Sequence, residues 1–395
     1  MAMDTVISGS ISRMRKDALE AVNSLPLPGV PDEAWRRVPP EAVKAVTAGG
    51  KAASGEMYRG AAVTLKGDGG LYKATGGEEN RQKLDNVLEL WRSYEDQRCE
   101  RRLTRPNDVE HNLASSINMA FSDDLYLIQF EGKEDDDIQQ GRAEIVLNPV
   151  YESVPVKIHL SLLIVHVLNS AEAELEVVFP DVSDQDHQMI FQIVYILEDN
   201  ARLSVLFHDA GGKQRNLFSF ERAYLGQRSY LKIGREMNPE GTAMTDSRCA
   251  LLGRSAELEY YTLQQPRGNG FAGQKIVVEQ YAPHTRSKVE TRSVADDKSR
   301  CLFAGAVKIP SGAEGSEAFE QHRSLLLGPG AKVQSLPELE IVENDVSCSH
   351  ASSISDLDFE DLFYLESRGI PPSEARQLLT EAFIFQVQSK LRLAL

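Results

Sequence analysis

The sequence is poor in cysteine, and its cysteines are dispersed. Only four occur in 395 residues, at Cys99, Cys249, Cys301 and Cys348, and no two of them form a Cys-x-x-Cys pair. This spacing excludes a disulfide-stapled scaffold and the usual paired-cysteine zinc site. Unpaired cysteines are typical of a reducing compartment, and we expect a cytoplasmic protein.

Long apolar runs are also missing. The most apolar stretch, VKIHLSLLIVHVLNS, is interrupted by His159, Ser161 and His166 and is too short to span a bilayer as a helix. The first residues lack the apolar core of a secretory signal and instead predict a short amphipathic helix over 8–23. The net charge of -16 disfavours nucleic acid and anionic membranes as partners, but leaves a basic protein partner open.

Common catalytic motifs are absent from the sequence. It contains no GxxxxGK[ST], HExxH or GxSxG, so we expect a non-catalytic chain that binds no nucleotide itself. One GxGxxG occurs, GNGFAG at 268–273, but the alternating segment QKIVVEQY follows it where a dinucleotide site needs a helix. The acidic cluster at 131–144 lacks the spacing of a calcium loop and predicts a solvated loop.

The elements that are present change type along the chain. Residues 78–103 place apolar side chains at helical spacing, and Gly-rich segments at about 49–77 predict loops. From about Asp124 to about residue 347, short apolar or alternating runs are separated by Gly, Asn, Asp and Pro, which predicts strands. A long series of strands without intervening helices excludes a doubly wound α/β fold.

The strands share a recurring unit, which is a turn residue, a small residue, any residue and an aliphatic residue. It occurs as NARL, RSYL, SAEL, RSKV and GAKV, starting at residues 200, 228, 255, 286 and 330. The spacing is about 27 to 31 residues, except for a last interval that could hold a degenerate turn around 309–319. A fixed period of short strands favours a parallel β-helix, and a β-sandwich is the alternative.

The last residues are helical in pattern. Ser355 and Asp358 have capping-box spacing, Gly369 marks a helix end, and Pro371 and Pro372 start a second helix. The pair could cap the solenoid or offer a docking surface to another protein. We therefore predict a helical region over 1–112, a mainly β core over 113–352 and a helical region over 353–395.

Cys348 and His350 stand two residues apart in a strand-like segment, so their side chains project from the same face. A thiolate with an imidazole suits iron, copper or zinc, but two ligands are too few for a closed site. The pair is therefore either half of a site completed elsewhere, or no site, because buried Cys often packs as a small hydrophobe.

The sequence resembles the SufB/SufD family of iron–sulfur cluster assembly scaffolds, and within it the SufD branch. The resemblance is densest in HTRSK (284–288), in LLLGPGAKVQSLPELEIVENDVSCSHASS (325–353) and in LFYLESRGIPPSEARQLLTEAF (362–383). Weaker similarity covers PDEAWRRVPPEAV (31–43) and HNLASSINMAFSDDLYLIQF (111–130).

The resemblance implies a right-handed parallel β-helix flanked by helical regions, in a complex with SufB-like and SufC-like proteins. It implies a transient iron–sulfur cluster at the SufB-like interface, with His350, and Cys348 beside it, as the groups offered by this chain. It also implies that the C-terminal helices dock the SufC-like ATPase, and we expect Tyr364, Arg368 and Gly369 to take part. The alternatives are a SufB-like homodimeric scaffold and a β-helix protein that acts on polysaccharide.

Overall fold

The structure is a computed structural model, and its description covers most of the chain. The described residues are 9–24, 33–47, 58–60, 62–67, 70–73, 78–101, 116, 118, 125–131, 141–148, 158–179, 188–209 and 215–392. The acidic cluster at 131–144 lies mostly outside them. No helix within these residues is both long enough and apolar enough to cross a membrane.

Helices lie at both ends of the described chain. The α-helices are α1 (Gly9–Ser24), α2 (Pro40–Thr47), α3 (Glu78–Arg101), α4 (Phe359–Ser367) and α5 (Pro372–Gln388), and a 3₁₀ turn spans Trp35–Arg37. The helices predicted over 8–23 and 78–103 are confirmed as α1 and α3.

The remaining elements are strands of two sheets. Sheet A contains β1 (Tyr58–Gly60), β3 (Gly70–Lys73), β4 (Leu125–Phe130), β6 (Ile158–Val167), β8 (Gln188–Leu197), β10 (Asn216–Leu225), β12 (Thr242–Leu251), β14 (Phe271–Gln280), β16 (Arg300–Ile309) and β18 (Lys332–Ile341). Sheet B contains β2 (Ala62–Gly67), β5 (Gly141–Asn148), β7 (Glu172–Phe179), β9 (Arg202–Asp209), β11 (Tyr230–Met237), β13 (Glu257–Gln264), β15 (Arg286–Ala295), β17 (Ser316–Leu326) and β19 (Val346–Ser355). The interpretation of 49–77 as loop is therefore wrong for β1, β2 and β3.

The two sheets alternate along the chain, which makes the fold a parallel β-solenoid. From β4 onward, each strand pairs in parallel with the strand two positions later, so one coil contributes one strand to each sheet. In the described part of the chain, antiparallel pairing is confined to the start, where β2 pairs with β5 and β3 with β4. The predicted solenoid is confirmed. The first three residues of GNGFAG lie in a turn between coils, and its last three begin β14.

One corner of the solenoid is a column of residues with left-handed backbone conformation. The column consists of Ser170, Asn200, Arg228, Ser255, His284 and Gly315. Each N–H donates to a carbonyl of the next coil, as from Ser255 to Pro283 at 3.0 Å and from His284 to Glu314 at 2.9 Å. The residue after each is small and buried, namely Ala171, Ala201, Ser229, Ala256, Thr285 and Ser316.

This corner corrects two of the five repeat units read from the sequence. NARL, RSYL and SAEL start at column residues, but the fourth unit starts at His284 rather than Arg286. In this unit Ser287, which pairs with Leu258, stands where the other units have an aliphatic residue. The unit predicted from the sequence therefore starts two residues too late and takes Val289 as its aliphatic residue. GAKV belongs to sheet A, because Val333 pairs with Cys301. The degenerate turn predicted around 309–319 is Gly315 and the three residues after it.

Sheet A is covered on both faces. Its inner face meets sheet B, and the N-terminal elements pack on its outer face. Trp35 stacks on Phe220 with ring centroids 5.8 Å apart and donates from its indole Nε1 to Asp246 at 2.8 Å. Helix α3 buries Leu84 and Leu88 against the same outer face. Burial on both faces explains why β8 is a continuous apolar run, whereas β7 in sheet B alternates.

The interior changes from apolar to polar toward the C-terminal coils. Phe179, Phe191 and Phe207 pack together in the early coils. One coil later, the buried Arg235 guanidinium lies 3.7 Å from the Phe207 ring centroid and pairs with the buried Glu221 carboxylate. Buried charges are tolerated when they are paired and hydrogen-bonded, and this pair meets that condition.

The C-terminal helices pack beside the solenoid and leave its end uncapped. Helix α5 buries Val387, and Leu391 just beyond it, against Tyr261 and Leu263 on the outer face of sheet B. The sequence left two roles open for this helix pair, a cap and a docking surface. The prediction of a cap over the last coil is therefore wrong. Helix α4 starts three residues later than the Ser355 capping box suggests, because Asp358 is the N-cap and accepts from the Glu360 N–H at 2.7 Å.

Candidate functional site

The solenoid ends in two exposed edge strands, β18 and β19. Each pairs only with the strand below it among the residues that the structure describes. Their inward-facing positions are set by register with buried residues of the previous coil. These positions are Ser335, Pro337 and Leu339 on β18, and Cys348, His350 and Ser352 on β19. We call this surface the open end. An unpaired parallel edge is a template for another chain.

Cys348 and His350 both lie on β19 and face the same side, as the two-residue spacing predicts. Cys348 is half-buried and packs with Leu339 and Val346 on a small apolar cluster around Ile309. Burial raises the pKa of its thiol, and a hydrogen bond with the Ala318 backbone partly opposes the rise. A metal or a cationic partner would be needed to stabilise the thiolate at neutral pH.

His350 is exposed at the open end, next to Cys348. Its imidazole is therefore accessible to a partner at the open end. Ala351 continues β19 in register with Gln321. Within the described parts of the chain, no three His, Cys, Asp or Glu side chains converge closely enough to hold a metal ion. Cys348 and His350 alone are therefore an incomplete ligand set.

Two titratable residues beneath the open end were missed from the sequence. Glu320 and His322 occupy inward positions of β17, directly below His350 and Ser352. The run EAFEQHRS places Ala318, Glu320 and His322 on one face at a period of two. That alternation would have identified them as inward-facing, but the sequence alone does not show which alternate residues of the strand face inward.

His322 is part of a hydrogen-bonded chain that runs out to the open end. Its Nε2 lies 2.8 Å from Ser293 Oγ, its Nδ1 lies 3.0 Å from Ser335 Oγ, and Ser335 accepts from Ser352 at 2.8 Å. Burial lowers the pKa of His322 to about 3, so the imidazole is neutral. This series of hydrogen bonds orders the side chains of Ser335 and Ser352 at the open end.

The other predicted site residues lie together at the end of α4. The Arg368 guanidinium lies 5.2 Å from the centroid of the Tyr364 ring, and Gly369 ends the helix with a φ of 87°. Phe359 and Phe363 stack with ring centroids 6.5 Å apart and are 78% and 63% exposed. Helix α4 therefore offers an aromatic surface to solvent, next to one cation.

The fold and these sites define an open-ended parallel β-solenoid with a thiol and an imidazole on its edge strand. A family model described as "SUF system FeS cluster assembly, SufBD core domain" matches residues 157–383. The chain belongs to this SufBD family.

Curated relatives carry names that agree with the family model. The chain is 30% identical to the iron–sulfur cluster assembly protein SufD of Escherichia coli over 142 residues, covering 36% of this chain and 34% of that protein. It is 27% identical to SufD of Bacillus subtilis over 252 residues, covering 61% and 56%. A SufBD family protein of Synechocystis is 34% identical over 112 residues, covering 28% and 25%. The matches thus span between a quarter and just over half of these relatives.

Proposed function

We propose that the chain is a SufD-like, non-catalytic scaffold subunit of a complex with SufB-like and SufC-like proteins that assembles iron–sulfur clusters. The observation that carries the proposal is the open end, where Cys348 and His350 lie on the last strand, which pairs only with the strand below it among the described residues. Family membership and the relatives named SufD support the same role.

The open end is suited to a partner that has an edge of its own. Parallel edge strands present unpaired N–H and C=O groups, and a second solenoid edge satisfies them by extending both sheets. A SufB-like chain placed there would supply the ligands that the site lacks. The nascent cluster is then held between two subunits, as substrate of the assembly rather than as a resident cofactor.

His350 and Cys348 have complementary roles in this proposal. An imidazole nitrogen is a good ligand for iron, and His350 is exposed at the open end. The half-buried Cys348 thiol becomes a ligand only after losing its proton, so we assign the first contact to His350.

The C-terminal helices are proposed as the docking surface of the SufC-like ATPase. Phe359 and Phe363 expose aromatic surface, which is typical of interface anchors, and Arg368 adds a cation held against Tyr364. Helix α5 fixes the position of this surface, because Val387 and Leu391 anchor it to sheet B. ATP hydrolysis is assigned to the partner.

The first experiment tests His350. The chain is co-expressed with the SufB-like and SufC-like proteins of its organism, purified without oxygen, and compared with His350→Ala by subunit stoichiometry, iron and sulfide content, and visible absorption. We expect the variant to keep its partners and lose the cluster. The matched control is His208→Ala, which removes a half-buried histidine, paired with Glu176, on the outer face of β9. Unchanged iron and sulfide in His350→Ala would refute the role of His350.

The second experiment tests the docking surface. Arg368→Glu is expected to weaken capture of the SufC-like protein, while Arg376→Glu, an exposed charge reversal on α5, leaves capture unchanged. Equal capture by both variants would contradict the role of Arg368. If the chain is instead a homodimeric scaffold, mass measurement of these preparations would show two copies of this chain and no SufB-like subunit.

A further inference from the structure

Glu320 is an unusual residue for the interior of a solenoid. It is 1% exposed, and neither carboxyl oxygen has a hydrogen-bond partner. The residues stacked below it in sheet B are Val289, one coil below, which is aliphatic, and Tyr260, two coils below, whose hydroxyl is hydrogen-bonded. A buried, unpartnered polar group is destabilising, so the fold gains no stability from a carboxyl at this position.

A glycine on the opposite sheet makes room for this carboxyl. Gly305 faces inward on β16, and a Cβ there would lie 2.1 Å from Glu320 Oε2 and 2.5 Å from Oε1. Glycine in the middle of a strand is itself unfavourable and marks a close approach by another group. Gly305 and Glu320 therefore form one built feature, an interior space that holds a carboxyl group.

The carboxyl lies one coil below the candidate ligands. Glu320 is the register neighbour of His350, and Cys348 lies two residues earlier on β19, over Ala318. All three side chains face inward at the same end of the solenoid. Among the described residues, the last coil, with Pro337 on β18 and His350 on β19, lies between the carboxyl and the solvent at the open end.

We propose that Glu320 is a further iron ligand of the open end, joining His350 and Cys348 when the site accepts its metal. The inference rests on the proposed function and deepens it, because it adds a carboxylate to the donor set of this chain. Nitrogen, sulfur and carboxylate donors together suit ferrous iron.

The ligand-free arrangement requires one movement before coordination. The three side chains do not converge in it, and the Glu320 carboxyl points across the interior toward Gly305. No hydrogen bond holds the carboxyl there, so rotation of its side chain toward β19 breaks none. Burial raises the pKa of Glu320 to about 8, so coordination by Glu320 and Cys348 releases two protons to solvent, one from the carboxyl and one from the thiol.

Binding of Co²⁺, a spectroscopic substitute for ferrous iron, to the full-length chain without oxygen tests the proposal. Wild type is expected to bind one Co²⁺ with a thiolate charge-transfer band that Cys348→Ser removes. Glu320→Gln keeps the volume and neutral charge of the protonated acid, so it folds, and it is expected to weaken binding by about tenfold or more. The matched control is Glu317→Gln, an exposed residue on the same strand, which leaves the affinity unchanged.

Two results would overturn the inference. One is a Glu320→Gln affinity equal to that of wild type. The other is absence of a Cys348-dependent Co²⁺ site in the wild-type chain. In either case the proposed function stands if His350→Ala still empties the complex of its cluster. If His350→Ala complexes keep their cluster, the proposed function fails and this inference fails with it.

Discussion

The buried ion pair between Glu221 and Arg235 makes a quantitative prediction about the solenoid interior. Glu221 is 0% exposed and Arg235 is 2% exposed. The Glu221 carboxylate accepts from Arg235 and, at 2.8 Å each, from the Ser247 and Tyr260 hydroxyls. Replacing Glu221 by leucine removes all three acceptor contacts and leaves the guanidinium charge buried without its partner.

We expect Glu221→Leu to destabilise the chain by about 3–5 kcal/mol, the usual effect of breaking one side of a buried pair. For a chain of this length, that corresponds to a fall in Tm of about 4 to 6 °C. Glu221→Leu combined with Arg235→Met removes both charges and keeps the volume. We expect the double variant to recover at least half of the loss, because the unpaired charge is the largest part of the cost.

Urea unfolding followed by circular dichroism, with thermal unfolding beside it, measures these changes. Glu257→Gln is the matched control, since its ion pair with Arg286 is exposed and is expected to contribute less than about 1 kcal/mol. The reasoning would be refuted if Glu221→Leu were as stable as wild type. It would also be refuted if the double variant were no more stable than the single one.

Three further predictions concern the corner, the carboxyl below the open end and the C-terminal helix. Gly315→Val is expected to lower the urea midpoint more than Gly312→Val, because both have positive φ but only at Gly315 would a Cβ meet His284, at 2.3 Å; equal losses would contradict this. The stability advantage of Glu320→Gln over wild type is expected to grow between about pH 5 and pH 8, by up to about 1.4 kcal/mol per pH unit, because a raised folded-state pKa means that the native state retains the proton that the unfolded state has lost; a difference that does not change with pH would refute it. Val387→Ala is expected to cost about 1–2 kcal/mol and to speed amide hydrogen exchange in α5, whereas Phe385→Ala, at a residue 62% exposed, leaves exchange unchanged; equal exchange in both variants would show that Val387 is not the anchor.

The coil corner was only partly predictable from the sequence. Small residues after the turn were visible as a pattern, since Ala201, Ser229 and Ala256 occupy the same buried corner position in successive coils. The pattern failed in the unit that starts at His284, because Ser287 stands where an aliphatic residue is expected. The predicted unit was therefore placed on the next aliphatic residue, Val289. A weak repeat fixes the number of coils approximately, but hydrogen bonding between coils decides the register.

The candidate site shows the same division. The two-residue spacing of Cys348 and His350 places them on one face of any strand, so the sequence alone predicted the pair. Glu320 and Gly305 are 15 residues apart on different sheets, and no local pattern relates them. Only stacking of one coil on the next brings the glycine opposite the carboxyl and the carboxyl under His350.

The sequence by itself determined the mainly β core, its flanking helices and the spacing of the thiol and the imidazole, because strand alternation, turn residues and spacing are local properties. It favoured a solenoid but left a β-sandwich open. The tertiary structure decided which end of the solenoid is open. The helices after Ser355 have the pattern of a cap or of a docking surface, and packing of Val387 and Leu391 on sheet B settles that they do not cover the last coil. Where an amphipathic helix docks depends on which apolar surface lies within its reach, and that surface exists only after the coils have stacked.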